Sequence, residues 1–281
     1  MVGKLLKYDL RDYFRVLVPA YVTMFAIALF CRIVQFFEPA LGTPDAAPSM
    51  TIYHAVFVSS VVLLVLAGLV VLVLTFIQVI LVFYRNLFTR VGYLSFTLPV
   101  STDQHLGAKI SGALIANAAS VLAVVVAAGV AMLGEMLVEV VRAGAYLVGM
   151  LRDEFLEQFG AGHFGLFVTE GVIAVIVSCI LSILFCYLCI ALGQRAKKNR
   201  VLAAFGIFFG FYVLAQILAT VLVIVVGFET QFMDDLAVWF LRSLPGSLHL
   251  VMWIGIVVCA ALSAAAYAIT RSSITRHLNL E

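Results

Sequence analysis

The 281-residue chain is 64% apolar and only 11% charged, whereas soluble domains run near roughly 45–50% and 25%. So little polar surface excludes a water-soluble globule, and the chain reads as an all-α, polytopic integral membrane protein. The net charge of +2 excludes little, because in such a chain the sign of each loop matters more than the sum.

The N-terminal fifteen residues carry Lys4, Lys7, Arg11 and Arg15 at helical spacing, with Val2, Leu5, Leu6, Leu10, Tyr13, Phe14 and Leu17 opposite. This pattern predicts an amphipathic interfacial helix over 1–15, its cations against lipid phosphates. The apolar stretch that follows exceeds a signal-peptide core and lacks a small-residue cleavage site, so it is expected to remain as a helix.

Six runs suffice to cross a hydrocarbon core that needs about 20 helical residues: Val16–Phe36, Tyr53–Phe83, Ile110–Gly134, Gly165–Leu192, Val201–Phe228 and Leu248–Ile269. The second is long enough to demand tilt or projection beyond the membrane. The N-terminus, the 84–109 and 193–200 loops and the C-terminus hold 13 Lys or Arg and 4 acidic residues, against 3 and 10 in the other three loops. That asymmetry, with an even number of spans, puts both termini in the cytoplasm.

On the outer side, the third span is expected to run on, or bend, into an amphipathic outer helix over 135–164, with Glu135, Glu139, Arg142 and Asp153 on one stripe, and Gly160, Gly162 and Gly165 marking a flexible return. The 229–247 segment reads as re-entrant or interfacial, broken at Pro245-Gly246. Arg32 and Glu170 are the strongly ionisable residues inside spans. They either snorkel to water, pair with one another, or face a substrate path opening outward. Gln78, Asn117 and Gln216 read as interhelical hydrogen-bond formers, and Gly206 with Gly210 as a close-approach face.

The chemical search is negative. There is no phosphate-binding GxxxxGK[ST] loop, no HExxH and no GxSxG elbow. Cys186 and Cys189 form a lone CxxC inside a span, and the five histidines are scattered in sequence, so no catalytic or metal residue is assigned.

The cytoplasmic segment 84–109, YRNLFTRVGYLSFTLPVSTDQHLGAK, is the exception to a bland loop. It carries Leu87, Phe88, Tyr93, Leu94, Phe96 and Leu98 outside the bilayer, flanked by Arg85, Arg90 and Lys109. Gly92 allows a sharp turn, Pro99 ends the preceding segment, and Ser101 with Gln104 fits a capping box. A compact amphipathic knob between two spans is suited to docking.

Those residues, Tyr84 to Phe88, Gly92-Tyr93-Leu94, Thr97 to Ser101 and Lys109, resemble the loop after span two in permease subunits of bacterial ABC exporters, in the type-two exporter branch. Beyond the loop the resemblance is one of hydropathy plan. It implies a half-transporter in the bacterial cytoplasmic membrane, pairing with a second permease copy or related permease and two separate P-loop ATPase subunits. ATP and Mg would be bound by those partners, with no cofactor on this chain and no nucleic acid. It further implies that the loop is a coupling helix, with Asn86, Leu87, Phe88, Gly92, Tyr93, Leu94, Leu98 and Pro99 as coupling residues and 193–200 as a second basic contact. The chain would thus be no enzyme itself but would export a hydrophobic or amphipathic substrate such as a peptide, lipid or drug. A membrane scaffold or sensor subunit, an ion-coupled carrier and a membrane enzyme are the competing readings.

Overall fold

The computed structural model describes residues 2–37, 47–88, 101–196, 199–228, 238 and 244–276. Among them the regular structure is entirely helical, as a bilayer that offers no hydrogen-bond partners to the backbone requires. The helices are α1 Val2–Phe36, α2 Ala47–Phe88, α3 Thr102–Ala131, α4 Glu135–Phe159, α5 Ala161–Gly193, α6 Arg200–Phe228 and α7 Leu244–Arg276. All except α4 are long and apolar enough to cross a membrane. The length and composition are those of a multi-pass membrane protein; five of the expected spans lie within one of these six, and the third, expected to run to Gly134, ends as a helix at Ala131.

Two boundaries differ from expectation. The first fifteen residues do not form a separate helix, because α1 runs unbroken from Val2 through Pro19 to Phe36. Asp9, Tyr13 and Leu17, one turn apart, are all buried, so one packed stripe crosses the expected break while Lys4, Lys7, Arg11 and Arg15 stay exposed. Pro245 and Gly246 lie in the first turn of α7, which begins at Leu244, where proline is tolerated because its missing N–H would have no helical partner. The rest of the 229–247 segment lies outside the described residues, apart from Val238.

At 42 residues, α2 is about 63 Å long at 1.5 Å per residue, twice the roughly 30 Å hydrocarbon core. Its end beyond the span therefore belongs to the loop region. The expected bend after the third span falls at Gly134, whose φ of +104° is open to glycine and strained for other residues. It separates α3 from α4, and Gly160 at φ +79° separates α4 from α5.

The chain divides into two compact units, Met1–Val82 with Gly107–Met150, and Phe83–Leu106 with Leu151–Glu281. The first is centred on Met24, Ala28 and Cys31 of α1, Val71 of α2, and Ala127 and Ala131 of α3. Small side chains let these helices approach closely. The polar glue is made of hydroxyls: those of Tyr21 and Thr75 lie 2.6 and 2.7 Å from Ser120 Oγ, joining α1, α2 and α3. Gln216, by contrast, is on the exposed surface of α6.

Nearer the start of α1, the Lys109 ammonium donates to the Asp9 carboxylate, both buried. Beside them a Cβ on Gly112 would meet the Tyr13 ring at 3.4 Å. Lys109 is thus a buried tie between α1 and α3 and not an exposed flank of the loop.

In the second unit α5 packs along α7 and α6. Phe185 of α5 meets Phe208 and Phe211 of α6, and α6 returns tightly enough that a Cβ on Gly193 would stand 2.7 Å from Ala204 N and Cβ. Around Gly206 and Gly210 the space is open, so the close approach is made by Gly193 and not by the GxxxG pair.

Two stability tests follow from this packing. Gly193→Ala should destabilise by about 1–3 kcal/mol through overpacking against backbone, whereas Gly206→Ala should leave the thermal midpoint in detergent unchanged or slightly raised. An unshifted midpoint in Gly193→Ala contradicts the tight return. Lys109→Met alone should cost about 3–5 kcal/mol by removing the ammonium from a buried carboxylate, with Asp9→Leu/Lys109→Met recovering most of it; equal losses in single and double variants in a denaturation cycle would show that the pair is uncoupled.

Candidate functional site

The segment between α2 and α3 is fastened at both ends within the second unit. On the α2 side, Phe83 stacks on Tyr187 of α5 with ring centroids 3.8 Å apart and planes 7° from parallel, and Phe88 turns its edge to Phe83 at 5.8 Å. Leu87 and Phe88 are 2% and 6% exposed. Asn86 is half-buried and Arg85 exposed. As placed, Leu87 and Phe88 hold the helix end, and their contribution to any docking is through that grip.

On the α3 side the capping box is formed. Ser101 Oγ accepts from the Gln104 N–H at 3.3 Å, and Gln104 Oε1 accepts from the Ser101 N–H at 3.4 Å. The reciprocal bonds occupy the helix's orphan donors. One residue inside the helix, Asp103 Oδ1 accepts from the Tyr267 hydroxyl at 2.8 Å and from Arg271 Nε at 2.9 Å, both on α7. A carboxylate in a helix's first turn also complements its dipole. The following His105 and Leu106 are buried.

Gly92, Tyr93, Leu94, Leu98 and Pro99 lie outside the described residues. In the basic 193–200 turn, Arg195 Nη2 donates to Ser273 Oγ of α7 at 3.1 Å, and Asn199 adopts a positive φ of 54° just before α6, a conformation Asn tolerates better than most residues.

Arg32 and Glu170 each have partners within their own unit. Arg32 Nη1 donates to Gln35 Oε1 at 3.2 Å, and Gln35 Nε2 donates to the Ala131 carbonyl at 2.8 Å. The guanidinium stands against Gly134. Together they cap the carboxyl end of α3, where exposed carbonyls attract cations, which makes Arg32 a structural residue of the first unit.

Glu170 of α5 accepts from Trp253 Nε1 at 2.9 Å and bonds His249 Nδ1 at 2.7 Å, both on α7. His249 Nε2 in turn lies 3.1 Å from His163 Nδ1. This four-residue chain is invisible to a search for local histidine motifs, since its members are 79 to 86 residues apart across the helix pair. The available signal was spacing: His163 and Glu170 are two turns apart on one helix, His249 and Trp253 one turn apart on another. Among the described residues no group of three or more His, Cys, Asp or Glu side chains is arranged to hold a metal, and Cys186 and Cys189 are buried free thiols.

Ser101→Ala should remove the α3 cap at a cost of about 1 kcal/mol, read as roughly fivefold faster amide exchange over residues 102–105. Asp103→Asn, at a half-exposed ion pair, should change it less; the reverse order would place the anchor on the ion pair. No protein-family model, curated protein or solved structure matches this chain.

Proposed function

We propose that this chain is the permease subunit of an ATP-driven exporter, moving a hydrophobic or amphipathic substrate with energy from a separate P-loop ATPase that binds ATP and Mg. The observation that carries the reading is the double anchorage of the 89–100 segment. A short apolar and aromatic stretch is held on one side by Leu87, Phe88 and the Phe83–Tyr187 stack, and on the other by the Ser101–Gln104 box and the Asp103–Arg271–Tyr267 tie. In this reading, force that reaches either flank is passed to the helices that hold it.

In this reading both termini and the 84–109 and 193–200 segments face the cytoplasm, following the positive-inside asymmetry, and the protein sits in a bacterial cytoplasmic membrane. Gly92, Tyr93, Leu94, Leu98 and Pro99 form the contact with the ATPase, and the residues that flank them set its position. The α6 helix, whose apolar window is unburied in the single chain, faces lipid or a second permease copy. α4 lies along the opposite interface, its polar stripe outward.

Affinity purification of the full chain from native membranes in mild detergent, followed by an ATPase assay, tests the assignment. Leu94→Arg should abolish co-purifying ATPase activity while leaving the thermal midpoint within about 2 °C of wild type, since a surface substitution moves stability by less than about 0.5 kcal/mol. A folded wild-type preparation carrying no ATPase, or transport indifferent to Leu94→Arg, contradicts it.

A further inference from the structure

The first turns of α5 and α7 are joined by a run of hydrogen bonds whose proton count is constrained. Glu170, with its side chain 7% exposed, accepts through Oε1 from Trp253 Nε1 at 2.9 Å. Its Oε2 is 2.7 Å from His249 Nδ1. When Glu170 is ionised its carboxylate only accepts; His249 then carries its proton on Nδ1, and in the neutral ring Nε2 is left as a lone pair. The nitrogen 3.1 Å from it, His163 Nδ1, must then be the donor. The tautomers of both rings are set by the single carboxylate at the end of the chain.

One additional proton fits without breaking anything. Placed on His163 Nε2, it leaves every bond intact. Placed on His249 Nε2, it reverses the shared bond while His163 takes its other tautomer, and the new imidazolium lies against Glu170. A second additional proton on the pair of rings does not fit. Both facing nitrogens would then carry hydrogens, the bond between them would be lost, and two cationic rings with centroids 5.3 Å apart would share one compensating charge.

The surroundings supply little else. Phe167 packs on His249 at 5.1 Å, and the end of α4 meets α5 through Phe155, against Phe164 and Phe167. Among the described residues the ionisable groups are His163 and Glu170 on α5 and His249 on α7. On α4 they are Glu154 and Glu157, both exposed, and Arg152 with Asp153, exposed and paired with one another.

We propose that His163 and His249, backed by Glu170, form a binding site for one shared proton, and that uptake of a second parts the first turn of α5 from α7. Histidine is the side chain suited to gaining a proton under mildly acidic conditions, so acid is the condition to test. The consequence is a hinge at the Gly160 end of α5 that responds to acidity on whichever side of the membrane it faces.

The experiment uses the full chain in lipid nanodiscs. Amide exchange over residues 161–170, corrected for its intrinsic pH dependence, should be roughly 5- to 30-fold faster at pH 5.0 than at pH 7.5, as expected for loss of the bond that pins this turn. His163→Gln, which keeps a neutral hydrogen-bonding partner for His249, should show no such step. A wild-type segment indifferent to pH, an undiminished step in His163→Gln, or protection at pH 7.5 that a chelator removes would each overturn the proposal. Nitrogen-15 spectra of histidine-labelled wild type read the site independently of any variant: at pH 7.5 both rings should carry their proton on Nδ1, and an Nε2–H tautomer of His249 contradicts the chain.

Discussion

A hydrocarbon layer offers nothing to hydrogen-bond with, and the internal arrangement of this protein follows from that constraint. A charge or amide on a long apolar helix must find its partner on the same chain or reach the surface. Several polar groups here accordingly serve as ties between helices. Asp9 and Lys109 join α1 to α3, Arg32 and Gln35 close the end of α3, and Glu170 gathers His249 and Trp253 from α7 onto α5. Apolar contact alone discriminates weakly between helix faces in lipid, because lipid tails are as apolar as leucine. Polar pairs and small side chains therefore choose the neighbours.

The same constraint bears on the segment between α2 and α3. Its flanks are held by three different kinds of contact: an aromatic stack, a helix cap and a carboxylate bridged to α7. Their separate chemical bases mean that no one condition, such as salt or acid, releases the segment entirely, since screening weakens the ion pair but not the stack. Anchored flanks are a physical requirement for passing motion between a soluble partner and membrane helices.

At the other ends of α5 and α7 the linkage differs in kind. Where the Arg195–Ser273 contact ties the carboxyl-terminal ends through a guanidinium that stays charged at any physiological pH, the amino-terminal ends are held by imidazoles.

The sequence by itself determined the class and the local grammar. Six spans, an all-helical fold, the bend at Gly134 and the Ser101–Gln104 cap follow from hydropathy, backbone freedom and short-range hydrogen bonding, each of which acts over a few residues. It misjudged the reach of α1, because the charges at Lys4, Lys7, Arg11 and Arg15 advertise an interfacial face while the buried Asp9–Tyr13–Leu17 stripe depends on what α3 brings against it. The histidines looked scattered for the same reason: His163 and His249 are 86 residues apart and meet only when α5 lies along α7. Arg32 and Glu170 were conspicuous as charges, but their partners were not. Tertiary structure alone decided these pairings, since an isolated charge states that it needs a partner while only the packing of helices decides which polar group lies within hydrogen-bonding distance.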